Sequence, residues 1–277
     1  MGKIITGSEI SKNIKSELKN SAKLYMIKPC LAVFILGEEP IIEEHIKNMD
    51  NLCNEIGIYL KQVRFGVNVL EKELTNRIIE LNNDEYINGI IVQLPLPDYL
   101  NTQRVLNHVT SNKDTEGLND INSGRLYNGN LNTCPSISLA VMELLKSNNI
   151  ELAFKNVVIV GANRLAGRPL SMLMIKENAC VTLCDYDTPN LKDITSKADI
   201  LVSASCNANS ITSDYIKEDS IVVDAGISYV DGKICGDVSE DVKNKAKYFI
   251  PFVGGVYDVA LLMVLKNVIK CYEKTRK

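Results

Sequence analysis

The chain has 277 residues, 45% of them hydrophobic and 23% charged, with a formal net charge of -3 and an isoelectric point near 5.6. That length suits two domains or one large one, and the mild acidity excludes a dedicated nucleic-acid or anionic-membrane surface. No apolar run is read as reaching the roughly 18 residues of a spanning helix, and the N-terminus lacks a signal-peptide pattern, so a cytoplasmic protein is expected.

Strand-like and helix-like runs alternate along the chain. Cys30–Leu36 reads as a β run closed by Gly37, Ile42–Ile56 as a helix, Tyr59–Phe65 as a strand, Leu70–Leu81 as a helix and Ile87–Gln93 as a strand. An irregular stretch containing Lys113–Arg125 follows, and then the pattern restarts. Leu139–Ser147 is helical, Val157–Val160 a strand, Pro169–Glu177 a helix and Val181–Cys184 a strand; Ile200–Ser205 and Ile221–Ala225 are further β runs. Such interleaving implies an α/β fold with parallel sheets, helices on both faces and right-handed crossovers. Two series around an irregular middle suggest two α/β domains facing across a cleft, divided near residue 134.

The eight cysteines contain no Cys-x-x-Cys pair. Cys30, Cys180, Cys184 and Cys206 lie in or beside apolar runs and are expected to be buried reduced thiols, not disulfides or metal ligands.

Asn88–Pro97 is the most informative segment. An apolar strand ends on one amide, Gln93, and Pro95 and Pro97 then force a turn. Gln93 is thereby delivered to the C-terminal edge of a strand, where open α/β sheets place ligands. In the second half, Val157–Val160 runs into Gly161-Ala162-Asn163-Arg164-Leu165-Ala166-Gly167-Arg168-Pro169. Two glycines allow a tight turn, Pro169 suits a first helical turn, and a helix start beyond a strand offers N–H groups to a pyrophosphate. The spacing Gly-x5-Gly is not the usual dinucleotide fingerprint, and any βα turn also uses such glycines.

These phrases together resemble the methylenetetrahydrofolate dehydrogenase/cyclohydrolase family. The resemblance runs the length of the chain. It includes Leu31–Gly37 with Pro40, Val92–Pro97, Lys113–Gly117 followed by Asn122–Leu126, Gly161–Pro169, Val223–Ile227, Gly236–Val238 and Gly254–Val256. It implies a folate-binding catalytic domain over residues 1–134, completed by a helix over 258–277, and a Rossmann-like dinucleotide domain over 135–257. It also implies a homodimer formed through the second domains.

By the resemblance, Gln93, Pro95 and Glu116 meet the pterin, with Glu116 standing where the family has aspartate. A carboxylate accepts from two adjacent N–H donors, and the extra methylene moves that clamp by about one bond length. The family's tyrosine and lysine, four residues apart, align with His45 and Met49. Met49 cannot shuttle protons and completes an apolar stripe with Ile42, Ile46, Cys53 and Ile56. Lys47 sits roughly 200° round the helix from Met49 and cannot substitute. His45 suits stacking on a pterin or weak base chemistry near neutral pH, and equally an exposed histidine with no role. Gly254, Gly255, Tyr257 and Asp258 fall in the family's cleft loop, where Tyr257 replaces a glycine and Asp258 a proline.

The implied dinucleotide contacts are Gly161, Ala162, Asn163, Gly167, Arg168, Asp185, Asp187, Cys206 and Ile227. Asp185 and Asp187 accept from a ribose 2′-OH and repel a 2′-phosphate, so NAD is expected over NADP, unless both simply face solvent. Cys206 stands where the family has a glycine and crowds the cofactor. Three functions fit. The first is an NAD-linked dehydrogenase acting on a folate, with the cyclohydrolase step lost and no metal needed. The second is a non-catalytic paralogue that binds or regulates, and the third a dehydrogenase with a cleft rebuilt around His45, Tyr257 and Asp258.

Overall fold

The computed structural model describes residues 2–275. Strand β1 (Lys3–Ile4) and helix α1 (Ser8–Lys23) precede β2 (Cys30–Leu36), α2 (Pro40–Ile56), β3 (Tyr59–Phe65), α3 (Glu71–Asn83) and β4 (Gly89–Val92). Two short helices, α4 (Thr102–Asn107) and α5 (Asp120–Tyr127), lead to α6 (Ser136–Ser147). The second series is β5 (Asn156–Val160), α7 (Gly167–Lys176), β6 (Cys180–Cys184), α8 (Leu191–Thr195), β7 (Ile200–Ser203) and β8 (Ile221–Asp224). A hairpin of β9 (Ser228–Val230) and β10 (Lys233–Cys235), strand β11 (Tyr248–Ile250) and the long helix α9 (Tyr257–Thr275) complete the chain.

The chain divides into two compact units, Asn13–Pro135 with Leu261–Lys277, and Met1–Lys12 with Ser136–Ala260. The sequence reading kept the first residues with the first domain. They go with the other unit because β1 extends its sheet, pairing Lys3 with Tyr248 and Ile4 with Phe249.

The unit built on Asn13–Pro135 holds a parallel three-stranded sheet in the order β3-β2-β4. Its central strand is buried from Leu31 to Leu36, as expected of a parallel strand covered on both faces. Helix α2 starts with Pro40 in its first turn and stops at Gly57, whose φ of 95° lets its N–H cap the Cys53 carbonyl. Ile42, Ile46, Met49, Cys53 and Ile56 are all buried, the stripe read from their spacing.

The other unit carries six parallel strands in the order β1-β11-β8-β7-β5-β6. From β6 through β5, β7, β8 to β11 this is the doubly wound order, which reverses direction between β5 and β7. Val158, Val160, Leu201, Val222 and Phe249 form one core with Ile211, Ile216 and Val242. Val157 and Ile159 are fully buried on the opposite face, where α7 packs against β5 and β6.

Three expectations need correction. Three strand readings ran long: the β4 ladder covers only Gly89–Val92, although Gln93 N still donates to Phe34 O at 2.9 Å, β7 stops at Ser203 and β8 at Asp224. Cys180 and Cys206 are exposed although all eight thiols are free; Cys180 opens the edge strand β6, and Cys206 sits in a loop at φ 59°. Finally, Phe252–Thr275 is long and apolar enough in composition to cross a membrane. The sequence reading missed this run because scattered polar residues interrupt it. Since 72% of that window is buried, it serves here as a core helix.

Candidate functional site

Because β2, β3 and β4 run parallel, their C-terminal ends share one edge. Gln93 stands there half-buried, before the cis peptide Leu94–Pro95; Pro95 is exposed. Asp114 forms a parallel bridge with Ile90, with Ile90 N donating to Lys113 O at 2.7 Å. Residues 113–115 thus run alongside β4, and Glu116 leaves that pairing at the edge that carries Gln93. Buried groups hold this segment in place. Lys113 Nζ donates to the carbonyls of Leu81 and Asp84 at 3.1 and 2.7 Å, and the Asp114 carboxylate accepts from Leu118 N, Asn119 N and Asn122 Nδ2. Gly117, at φ 66°, has no room for a Cβ, which would lie 2.5 Å from Thr133 O. A cavity of about 500 Å³ opens beside the ends of β2 and β3, lined by Gly37, Glu38, Arg64, Phe65, Gly66 and Val67.

On α2, Met49 is only 1% exposed and Lys47 is solvent-facing, so the lysine position is filled by core. His45 lies one turn earlier and is half-buried, which corrects the exposed reading. Burial pushes its pKa down from 6.5 to about 4. At neutral pH the ring is therefore uncharged, fit to stack or to accept a hydrogen bond, and a poor base.

In the doubly wound unit, the switch point falls where the loops after β5 and β7 meet, the position at which such sheets bind ligands. Gly161 has φ 108°, and a Cβ there would lie 2.2 Å from Ala204 O; one on Gly167 would lie 1.9 Å from Gly161 O. Only glycines permit that closeness. Asn163 fastens the turn from both ends, Oδ1 accepting from Leu165 N and Ala166 N while Nδ2 donates to Ala204 O at 2.7 Å. Its side chain thus has a structural task at the place where the sequence suggested a cofactor contact. Ala162 is half-buried and Arg168 exposed. Asp185 and Asp187 are exposed at the end of β6, in a turn closed by Thr188 Oγ1 on Asp185 N.

Cys206 explains why a glycine suits its position: its φ of 59° is left-handed. The Ile227 backbone N–H faces its sulfur, and desolvation at the sulfur pushes the thiol up although the residue as a whole is exposed. In the loop before α9, Gly254 has φ 75° and Gly255 is buried. Tyr257, half-buried, leans on Phe252 with ring centroids 5.6 Å apart, and Asp258 is exposed.

The matched segments Val223–Ile227 and Gly236–Val238 contain Asp224 and Asp237, to which the sequence alone assigns no task. Both are buried beneath the loop after β7. The mirrored order, Asp-x-Gly in one segment and Gly-Asp in the other, was the available signal.

An α/β unit joined to a doubly wound unit with a glycine-lined switch point is the build of a two-domain dehydrogenase. Residues 5–116 match the model of the tetrahydrofolate dehydrogenase/cyclohydrolase catalytic domain, and residues 135–276 that of its NAD(P)-binding domain. The bifunctional protein FolD of Clostridium novyi is 38% identical over 272 residues, covering 96% of this chain and 98% of that protein. Among solved structures, the bifunctional FolD of Campylobacter jejuni is 36% identical with a TM-score of 0.93, covering 99% of both chains. The Trypanosoma brucei enzyme, solved with NADP and an inhibitor, is 30% identical with a TM-score of 0.95, covering 100% of this chain and 99% of its own. This chain belongs to the tetrahydrofolate dehydrogenase/cyclohydrolase family.

Proposed function

We propose that the protein is an NAD-linked methylenetetrahydrofolate dehydrogenase with little or no cyclohydrolase activity. The carrying observation is the contrast between a retained ligand edge, with Gln93 and Glu116 at the ends of neighbouring strand segments, and a buried Met49 at the lysine position. Hydride transfer needs chiefly that two carbons be held close and in line. A bound nicotinamide supplies the hydride acceptor. Gln93 and Glu116 bind and orient the folate, with His45 as a neutral stacking partner, while Gly161, Gly167 and the start of α7 receive the pyrophosphate.

Asp185 and Asp187 select NAD provided that they reach the ribose from their exposed turn at the end of β6. Each unit of charge repulsion against a 2′-phosphate is worth on the order of 1 kcal/mol in a partly solvated site, so NAD is expected to bind about tenfold more tightly than NADP. Calorimetric titration with each dinucleotide and with a folate analogue tests the whole reading. Binding of folate and NAD supports it, and tighter binding of NADP overturns the cofactor assignment.

The Cys206 contact with Ile227 favours the second reading, a paralogue that no longer binds a dinucleotide. If neither NAD nor folate binds, that reading replaces the first. Tyr257 bears on the folate side. Tyr257→Gly is expected to tighten folate binding, measured by the same titration, and unchanged affinity means that the ring stays on Phe252 clear of the ligand.

A homodimer through the doubly wound units completes the proposal. The edge strand β6 leaves its backbone unpaired on one side, and Leu183, Ile175 and Phe154 are exposed at 37%, 49% and 90%. Eight free thiols suit a reducing, cytoplasmic compartment.

A further inference from the structure

Beneath the loop after β7, two buried carboxylates hold one another's segments. Asp224 closes β8 and Asp237 follows the β9–β10 hairpin; they are 3% and 0% exposed. Each lies against a glycine beside the other. A Cβ on Gly226 would sit 2.1 Å from Asp237 Cγ, and one on Gly236 2.0 Å from Asp224 Oδ2. Asp224 Oδ1 accepts from Gly226 N at 3.2 Å and Asp237 N at 3.0 Å, and its Oδ2 accepts from Val238 N at 3.0 Å.

Asp237 carries the arrangement upward. Its Oδ2 accepts from Ser203 Oγ at 2.7 Å, Ser205 N at 2.6 Å, Ser205 Oγ at 3.0 Å and Cys206 N at 3.2 Å. Its Oδ1 is buried and has no hydrogen-bond partner. A neutral amide would satisfy the same four donors through its carbonyl oxygen, so hydrogen-bond count alone does not call for a carboxylate there. Negative charge does: it strengthens all four bonds at once, two of them to backbone N–H groups of the loop.

We propose that Asp237 is a positioning residue of the dinucleotide edge, held by Asp224, and that the charge on this acid pair sets the order of residues 203–206 and hence dinucleotide affinity. The dinucleotide part rests on the function proposed above, whereas the loop is testable without ligand. The titratable groups facing the pair are the Cys206 and Cys235 thiols, both pushed up by burial, and no salt bridge reaches either carboxylate among the described residues. Burial, followed by the charge of Asp237, pushes Asp224 up to about 7, against the pull of its backbone N–H partners. Below that pH Asp224 is neutral; above it the Asp224 charge faces the Asp237 carboxylate across two glycines and the loop loosens.

The test uses the full chain as wild type, Asp237→Asn and Asp224→Asn, at pH 6 and pH 8. Amide hydrogen exchange across 203–206 is corrected for intrinsic rates, and NAD affinity is measured by calorimetry. Wild-type protection at Ser205 and Cys206, and NAD affinity, are expected to fall several-fold at pH 8, as ionised Asp224 pushes against the Asp237 carboxylate that holds the loop. Asp237→Asn is expected to lose protection on the order of tenfold at both pH values, and Asp224→Asn to hold the wild-type pH 6 behaviour at pH 8. Wild-type protection that is the same at both pH values overturns the proposal even if a variant fails to fold, as does a folded Asp237→Asn with wild-type protection. A wild type that binds no dinucleotide at either pH defeats the functional reading, and the exchange data still decide whether Asp237 sets the loop.

Discussion

Methenyltetrahydrofolate incubated with the protein is expected to open at close to its rate in buffer. Ring opening requires water attack with proton transfer, and a positioned acid–base group contributes roughly 10² to 10⁴ in rate. The candidates on α2 do not supply one. Met49 is apolar and 1% exposed, Lys47 faces solvent from the opposite side of α2, and burial leaves His45 uncharged, with a pKa of about 4. A base that weak holds little driving force at neutral pH. The measurement is the loss of methenyl absorbance with and without protein, under dehydrogenase assay conditions. An enzyme-dependent rate two orders of magnitude above buffer would show that another residue has taken over, and loss of that rate in His45→Ala would identify it.

The second large effect is on stability between pH 4 and pH 7, where half-buried His45 and buried Asp224 pull in opposite directions. His45 has its pKa depressed from 6.5 to about 4 by burial. Its unfolded form binds the proton first, so its contribution is present above pH 6.5 and lost as pH falls toward 4, worth up to roughly 3 kcal/mol. Asp224 has its pKa raised from 3.8 to about 7. Its folded form binds the proton first, so its contribution is present below pH 4 and lost as pH rises through 7, worth up to roughly 4 kcal/mol. The two slopes nearly cancel in the wild type. Denaturant midpoints for His45→Phe, taken as a difference from wild type, should therefore show stability falling with pH. The difference curve for Asp224→Asn should rise instead. Parallel curves for all three proteins would rule out both assignments.

How much of this was legible in the residues depended on whether the information was local. β2 was read with its observed bounds because it is a dense apolar run closed by Gly37, and β3 because Tyr59, Leu60, Val63 and Phe65 fall in a short run closed by Gly66. α2 was read because its buried stripe repeats at helical spacing. Helix α1 was missed: only Ile14, Leu18 and Ala22 are buried in a segment otherwise rich in lysine and glutamate, which leaves a stripe too thin to separate from a polar linker. Strand β11 is three residues long, and its place in the sheet comes from its neighbours, not its composition. At the site, glycine loops and the amide at the end of β4 were visible as chemistry. The Asp237 cluster was not, because its donors lie in a loop some thirty residues upstream, and only the sheet order brings them together. The enclosure of His45 was hidden for the same reason.

The pairing of β1 with β11 has a consequence for how the protein is made. Gly2 N, Lys3 N and Ile5 N donate to Lys243, Lys247 and Phe249 carbonyls at 2.7, 2.9 and 2.9 Å, so residues 2–5 wait for the synthesis of residues 243–249 before they find their partners. Until then β1 is an orphan strand in the nascent chain, and the side of β8 that β11 will cover stays an open template for other chains. Vectorial synthesis therefore cannot finish this sheet in the order it is written, and a purification tag fused directly ahead of Lys3 would load the one strand that has to travel farthest.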